Sequence, residues 1–123
     1  MKFYYEGKLV RTSKTHHYTH ALIDVETGKV VTCSTSAVRC ESEKKRYIRV
    51  AADLVENCHR AIKALYDGKK GFHGKDGKHE FYHAFTDEPF DTIEGRTALL
   101  EEDRKYRDSI IDNWKVVPLT EVE

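Results

Sequence analysis

Apolar and polar residues alternate through the first part of the chain in a way that predicts two hairpins. Phe3-Tyr4-Tyr5 and Lys8-Leu9-Val10 flank Glu6-Gly7, which reads as two short strands around a tight turn. Tyr18 to Val25 and Val30 to Ser36 flank Glu26-Thr27-Gly28-Lys29, with Gly28 suited to the left-handed position of a hairpin loop. In this second hairpin the odd positions Ala21, Ile23, Val25, Val31 and Cys33 share one face. His20, Asp24, Thr32 and Ser34 take the other, so the first face is the expected core side.

Beyond the hairpins the period changes. Ile48, Ala51, Leu54, Val55, Cys58, Ile62 and Leu65 recur at helical spacing and predict one long helix from about Ser42 to Tyr66. Ser42 can cap its start, and Gly68 lies just past its end. Residues 67–80 hold four glycines and no apolar period, which predicts a loop with a small hairpin around Asp76-Gly77. Phe81 to Phe85 reads as a short strand, and Pro89 then breaks the chain. Asp91 with Glu94 resembles a capping box for a second helix of about Thr92 to Asp112, whose apolar stripe is Ile93, Leu99, Leu100, Tyr106, Ile110 and Ile111. Trp114 to Val117 reads as a last strand, with Pro118 tolerated only near an edge.

This order predicts an α+β fold, a mainly antiparallel sheet of N-terminal hairpins packed against one long helix, with a second C-terminal helix and a terminal strand. A chain of 123 residues is expected to form one domain over residues 1–123. With 39% apolar and 34% charged residues, its core is thin, the situation in which a metal or a partner most often adds stability. No segment approaches the roughly 18 apolar residues of a membrane span, and the start lacks an apolar signal region. A cytoplasmic location is expected, where thiols stay reduced.

Cysteine placement suggests a metal site. Cys33 falls on a predicted strand, Cys40 in the turn that follows, and Cys58 in the middle of the long helix. Three thiolates brought together, with His59 as fourth ligand, would form a closed tetrahedral zinc site of structural type. His16, His17 or His20 are alternatives for the fourth position. The competing reading treats the three cysteines as small buried hydrophobes, and the absence of a C-x-x-C knuckle favours it. His79-Glu80 and His83 do not have metalloprotease spacing, and no nucleophile elbow, phosphate loop or dinucleotide fingerprint is present. An enzyme is not expected.

Charge points elsewhere. The net charge of zero hides 16 Lys/Arg against 9 Asp/Glu in residues 1–79, and 5 against 12 in residues 80–123. Glu94, Glu101, Glu102, Asp103, Asp108 and Asp112 place a row of carboxylates on the second helix. Such a row can complement a basic groove on a partner and compete there with phosphate. The rival surface is basic: Lys44, Lys45, Arg46 and Arg49, with Lys69, Lys70, Lys75 and Lys78, beside Tyr4, Tyr5, Tyr18 and Tyr47 as stacking groups. It would make the chain a small zinc-stapled nucleic-acid-binding module.

The opening Tyr4-Tyr5-Glu6-Gly7-Lys8-Leu9-Val10-Arg11-Thr12-Ser13-Lys14-Thr15-His16, followed by Tyr18-Thr19-His20-Ala21, resembles small proteins carried by phages and mobile elements of Gram-positive bacteria. The resemblance covers about the first fifth of the chain. Some proteins of that origin are anti-CRISPR inhibitors of type II nucleases. The resemblance implies a non-enzymatic inhibitor that binds a large host protein, such as a type II CRISPR nuclease, and it assigns no residue a role.

Overall fold

The computed structural model describes residues 1–68 and 92–123. The expected loop around Asp76-Gly77, the strand Phe81 to Phe85 and the cap at Asp91 fall outside the described residues. The fold is α+β, with two antiparallel three-stranded sheets where one was expected. Strands β1 (Lys2–Tyr5), β2 (Lys8–Thr12), β3 (His20–Asp24) and β4 (Val30–Ser34) are followed by helix α1 (Ala37–Tyr66). Helix α2 (Ile93–Asn113) then runs directly into β5 (Trp114–Pro118) and β6 (Thr120–Val122).

Turn chemistry sets both hairpins. Glu6 and Gly7 have φ of 48° and 77°, the pair of positive values that a two-residue hairpin turn matched to strand twist requires. Asp24 Oδ1 accepts hydrogen bonds from the backbone N–H of Glu26 (3.0 Å) and Thr27 (3.3 Å), which folds the second turn locally. Gly28, at φ 79°, closes it by donating to the Asp24 carbonyl at 2.7 Å.

The sheet orders are β2-β1-β6 and β4-β3-β5. In each case the N-terminal hairpin gains its third strand from the C-terminus. Strand β3 is therefore central, and Ala21, Leu22 and Ile23 are all buried. The expected one-sided alternation fails for that reason: Leu22, on the opposite face, is fully buried, whereas Val25 lies past the end of β3 and is 49% exposed. Each hairpin also carries one extra residue in its outer strand. Phe3 pairs with Arg11 and Tyr4 with Leu9, leaving Val10 without a cross-strand partner. Leu22 pairs with Thr32 and Ile23 with Val30, leaving Val31 likewise unopposed. These bulges bend β2 and β4.

Packing divides the chain into two compact units, Met1–Ile48 with Ser109–Glu123 and Arg49–Asp108. In the first, Ala21, Ile23, Cys33 and Val117 form a buried cluster, against which Tyr5, Val10, Tyr18, Val30 and Leu119 pack. Tyr47 of α1 meets the buried Trp114 edge to face, with ring centroids 5.0 Å apart. In the second, Val55, Cys58 and Ala61 of α1 and Leu100 of α2 form the core, joined by Ile62 and Leu99.

Helix α1 starts five residues before the expected Ser42. Its cap is Ser36, whose Oγ accepts from the N–H of Arg39 at 3.4 Å. At the other end Gly68, at φ 78°, donates to the Leu65 carbonyl. Thr92 caps α2, its Oγ1 accepting from Gly95 N–H at 3.0 Å.

Candidate functional site

The cysteines come first, because their placement decides the metal reading. Cys33 sits on β4 as expected, but Cys40 lies in the first turn of α1 and not in the turn before it. Cys40 and Cys58 therefore both fall within the helix Ala37–Tyr66 and belong to different units. Among the described residues no group of three or more His, Cys, Asp or Glu side chains is placed to hold a metal ion. All three thiols are buried and reduced.

Each thiol is held in its protonated form. Burial raises Cys33, with Arg11 opposing, and burial followed by the nearby Cys33 raises Cys40. Burial, then the Asp103 carboxylate, pushes Cys58 up to about 12. Cys58 Sγ donates to Asp103 Oδ2 at 3.1 Å. A protonated thiol is a poor nucleophile, and a metal ion would have to displace its proton to bind. His59, one residue on, points outward, where Arg104 Nη2 donates to its Nε2 at 3.3 Å. That nitrogen accepts from a cation, so its lone pair is engaged.

Acidic residues on α2 do not act as one block. Asp103 is the inward-facing member, half-buried against Cys58. Glu101 pairs with Arg104 at 2.7 Å, and Asp108 with Arg107 at 3.3 Å. Glu94, Glu102 and Asp112 are exposed without an ion pair among the described residues. Glu94, Glu101 and Asp108 recur every seven residues and so share one exposed helix face over about 21 Å of rise. The helix as a whole carries six carboxylates against four Arg/Lys. Much of the acidic excess that the sequence shows, from Glu80, Asp87, Glu88 and Asp91, lies outside the described residues.

The expected basic surface is only partly on view. Lys69, Lys70, Lys75 and Lys78 lie outside the described residues. At the start of α1, Lys44 Nζ donates to the Ile111 carbonyl at 3.5 Å near the C-terminal end of α2, and Arg46 is held by Glu43 at 2.8 Å. Arg46 also lies over the Tyr47 ring, 4.8 Å from its centroid, while Tyr47 itself packs on Trp114. These groups are committed to internal contacts more than the sequence suggests.

Sequence reasoning missed a cluster around Tyr18. The register puts Arg11, Phe3 and Glu121 opposite one another across β2, β1 and β6, so the three share one face of that sheet. The segment after β2 folds onto this row. Tyr18 meets Phe3 edge to face at 5.3 Å, and the Arg11 guanidinium carbon lies 5.7 Å from the Tyr18 centroid. His17 Nδ1 is 2.7 Å from Glu121 Oε1. The exposed His16 ring lies nearly parallel to Tyr18, at 7° and 5.5 Å between centroids. The sequence signal was the crowding of Tyr and His in residues 16–20, but only the β1–β6 pairing shows what they cover.

No family model matches the chain, and neither a curated protein nor a solved structure matches it.

Proposed function

We propose that the chain is a non-enzymatic inhibitor that binds a partner protein through the outer face of α2. The observation that carries this reading is the seven-residue recurrence of Glu94, Glu101 and Asp108 on one exposed face of a rigid helix. Among the described residues, two of these carboxylates pair only with neighbours on their own helix, at exposed positions where such pairs contribute little and exchange readily. A basic surface on a partner can therefore capture them at small cost. Successive carboxylates follow at about 10 Å along the helix, a row that a groove lined with Lys/Arg side chains can complement. The resemblance of the N-terminal segment to mobile-element proteins makes a guide-loaded type II CRISPR nuclease the partner to try first.

The test is DNA cleavage by that nuclease with the purified chain titrated in. The native chain should block cleavage, and the triple variant Glu94→Lys/Glu101→Lys/Asp108→Lys should need up to about 100-fold more protein, from three exposed contacts of up to about 1 kcal/mol each. No inhibition by the native chain removes the nuclease, and undiminished potency of the triple variant removes the helix face.

A further inference from the structure

A hollow of about 390 Å³ lies in the first unit, lined by residues of both N-terminal hairpins. That volume falls within the range of small-molecule sites, which are apolar with a few placed polar groups. Tyr5, Ile23 and Val30 line it and also belong to the packed core of that unit, so its wall is the outer side of the core. Leu9 and Val25 line it too, yet are 53% and 49% exposed. Apolar surface is thus left open to water on both hairpins around one space.

Both hairpin turns are fixed without any ligand. Glu6 and Gly7 hold the first through their positive φ values. The second is tied down by Asn113: Val25 N–H donates to its carbonyl at 2.9 Å, and its Nδ2 donates to the Glu26 carboxylate at 2.7 Å. Glu26 is thereby engaged, and the carboxylate lining the hollow is that of Glu6. Tyr5 makes a hydrogen bond with Glu6, which holds that carboxylate beside the hollow and leaves it its charge.

The one cation lining the same hollow is Lys8. Glu6 and Lys8 form no ion pair with each other or with any other described side chain. Two opposite charges held apart beside an apolar hollow are complementary to a small zwitterion that carries an apolar group. A ligand with a single charge meets one attractive and one repulsive group there, and a neutral one engages neither charge fully.

We propose that this hollow binds a free α-amino acid with a large apolar side chain, its ammonium on Glu6, its carboxylate on Lys8, and its side chain against Leu9, Ile23 and Val30. The site uses no residue of α2, so it stands or falls apart from the inhibitor reading. Exposed charges contribute little each, which places the affinity in the millimolar range.

The experiment is a titration of the full chain with L-phenylalanine, followed by backbone amide shifts in NMR. Saturable shifts are expected at Leu9, Val25 and Gly28. N-acetylphenylalanine, which lacks the ammonium, and phenylalanine amide, which lacks the carboxylate, should each bind about fivefold more weakly, as loss of one exposed contact predicts. Glycine, without the apolar group, should give no saturable shift. Glu6→Gln should weaken phenylalanine about fivefold and leave N-acetylphenylalanine unchanged; Lys8→Gln should do the same for phenylalanine and leave the amide unchanged. Both variants should keep the native melting temperature, because both side chains are exposed. Equal affinity for either blocked compound overturns the zwitterion, and equal affinity for glycine overturns the apolar site. Absence of saturable shifts with phenylalanine, or neutrality of both variants, overturns the proposal as a whole.

Discussion

Replacing Cys58 with alanine tests whether a buried thiol donating to a carboxylate stabilises the second unit. The side chain is 1% exposed, packed among Val55, Ala61 and Leu100, and its hydrogen bond to Asp103 is 3.1 Å long. Deleting the sulfur removes roughly 1 kcal/mol of burial. It also removes a hydrogen bond to a charged acceptor, of the class that contributes about 1.5–3 kcal/mol. Water reaches the half-buried Asp103 and recovers part of that loss, so Cys58→Ala should cost about 2–3 kcal/mol in urea unfolding at pH 7. Asp103→Ala alone should cost less, and the double variant should fall short of the sum by about 1 kcal/mol, since both single changes break the same contact.

The pair also gives a pH signature. The thiol titrates near 9.0 when unfolded and near 12 when folded, so its proton is retained in both states below pH 9. Between those values the unfolded chain releases the proton first, and native stability falls as pH rises. The ceiling is about 1.4 kcal/mol per pH unit over that window, or about 4 kcal/mol in all. Solvent at Asp103 lowers it. Because tyrosines and lysines titrate in the same range, the quantity to read is the difference between the native chain and Cys58→Ala, which should shrink from pH 9 to pH 11. A cost below 0.5 kcal/mol at pH 7, additive single changes, or a constant difference across that range would refute the reasoning.

Two further substitutions probe the fold. Ser36→Ala should cost about 1 kcal/mol by uncapping α1, while Ser42→Ala, inside the helix and exposed, should be neutral or slightly stabilising; thermal melts of both variants check this, and the reverse order would return the helix start to Ser42. Phe3→Ala removes a fully buried ring and its edge contact with Tyr18, so it should cost about 3–5 kcal/mol by chemical denaturation, and a loss under 1 kcal/mol would mean that the site relaxes to fill itself.

The elements with a strong period were legible in the sequence. Both hairpins and α2 lie within a few residues of their expected bounds, because Glu6-Gly7, Gly28 and the apolar stripes act locally. Helix α1 began early because residues 37–41, Ala-Val-Arg-Cys-Glu, carry little apolar period, and two serines six residues apart can each cap. Strand β6 gave no signal: Thr120-Glu121-Val122 is short, wholly exposed and defined only by pairing with β1. That same long-range pairing hid the Tyr18 cluster, whose members come from residues 3, 11, 16–18 and 121. The acidic helix was visible as composition, but its ion pairs with Arg104 and Arg107 depend on rotamers that no spacing reveals.

The unopposed residues Val10 and Val31 bear on how the protein behaves when it is abundant. Among the described residues each sheet has two free edges, and a flat free edge invites a neighbouring molecule to add its own strand. Here all four are blunted: β2 and β4 by their bulges, β5 by Pro118 at its end, and β6 by having only three residues. Among the described residues, no long flat edge is left as a template for a neighbouring strand. Encounters at these sheets are thereby left to side chains rather than to backbone pairing.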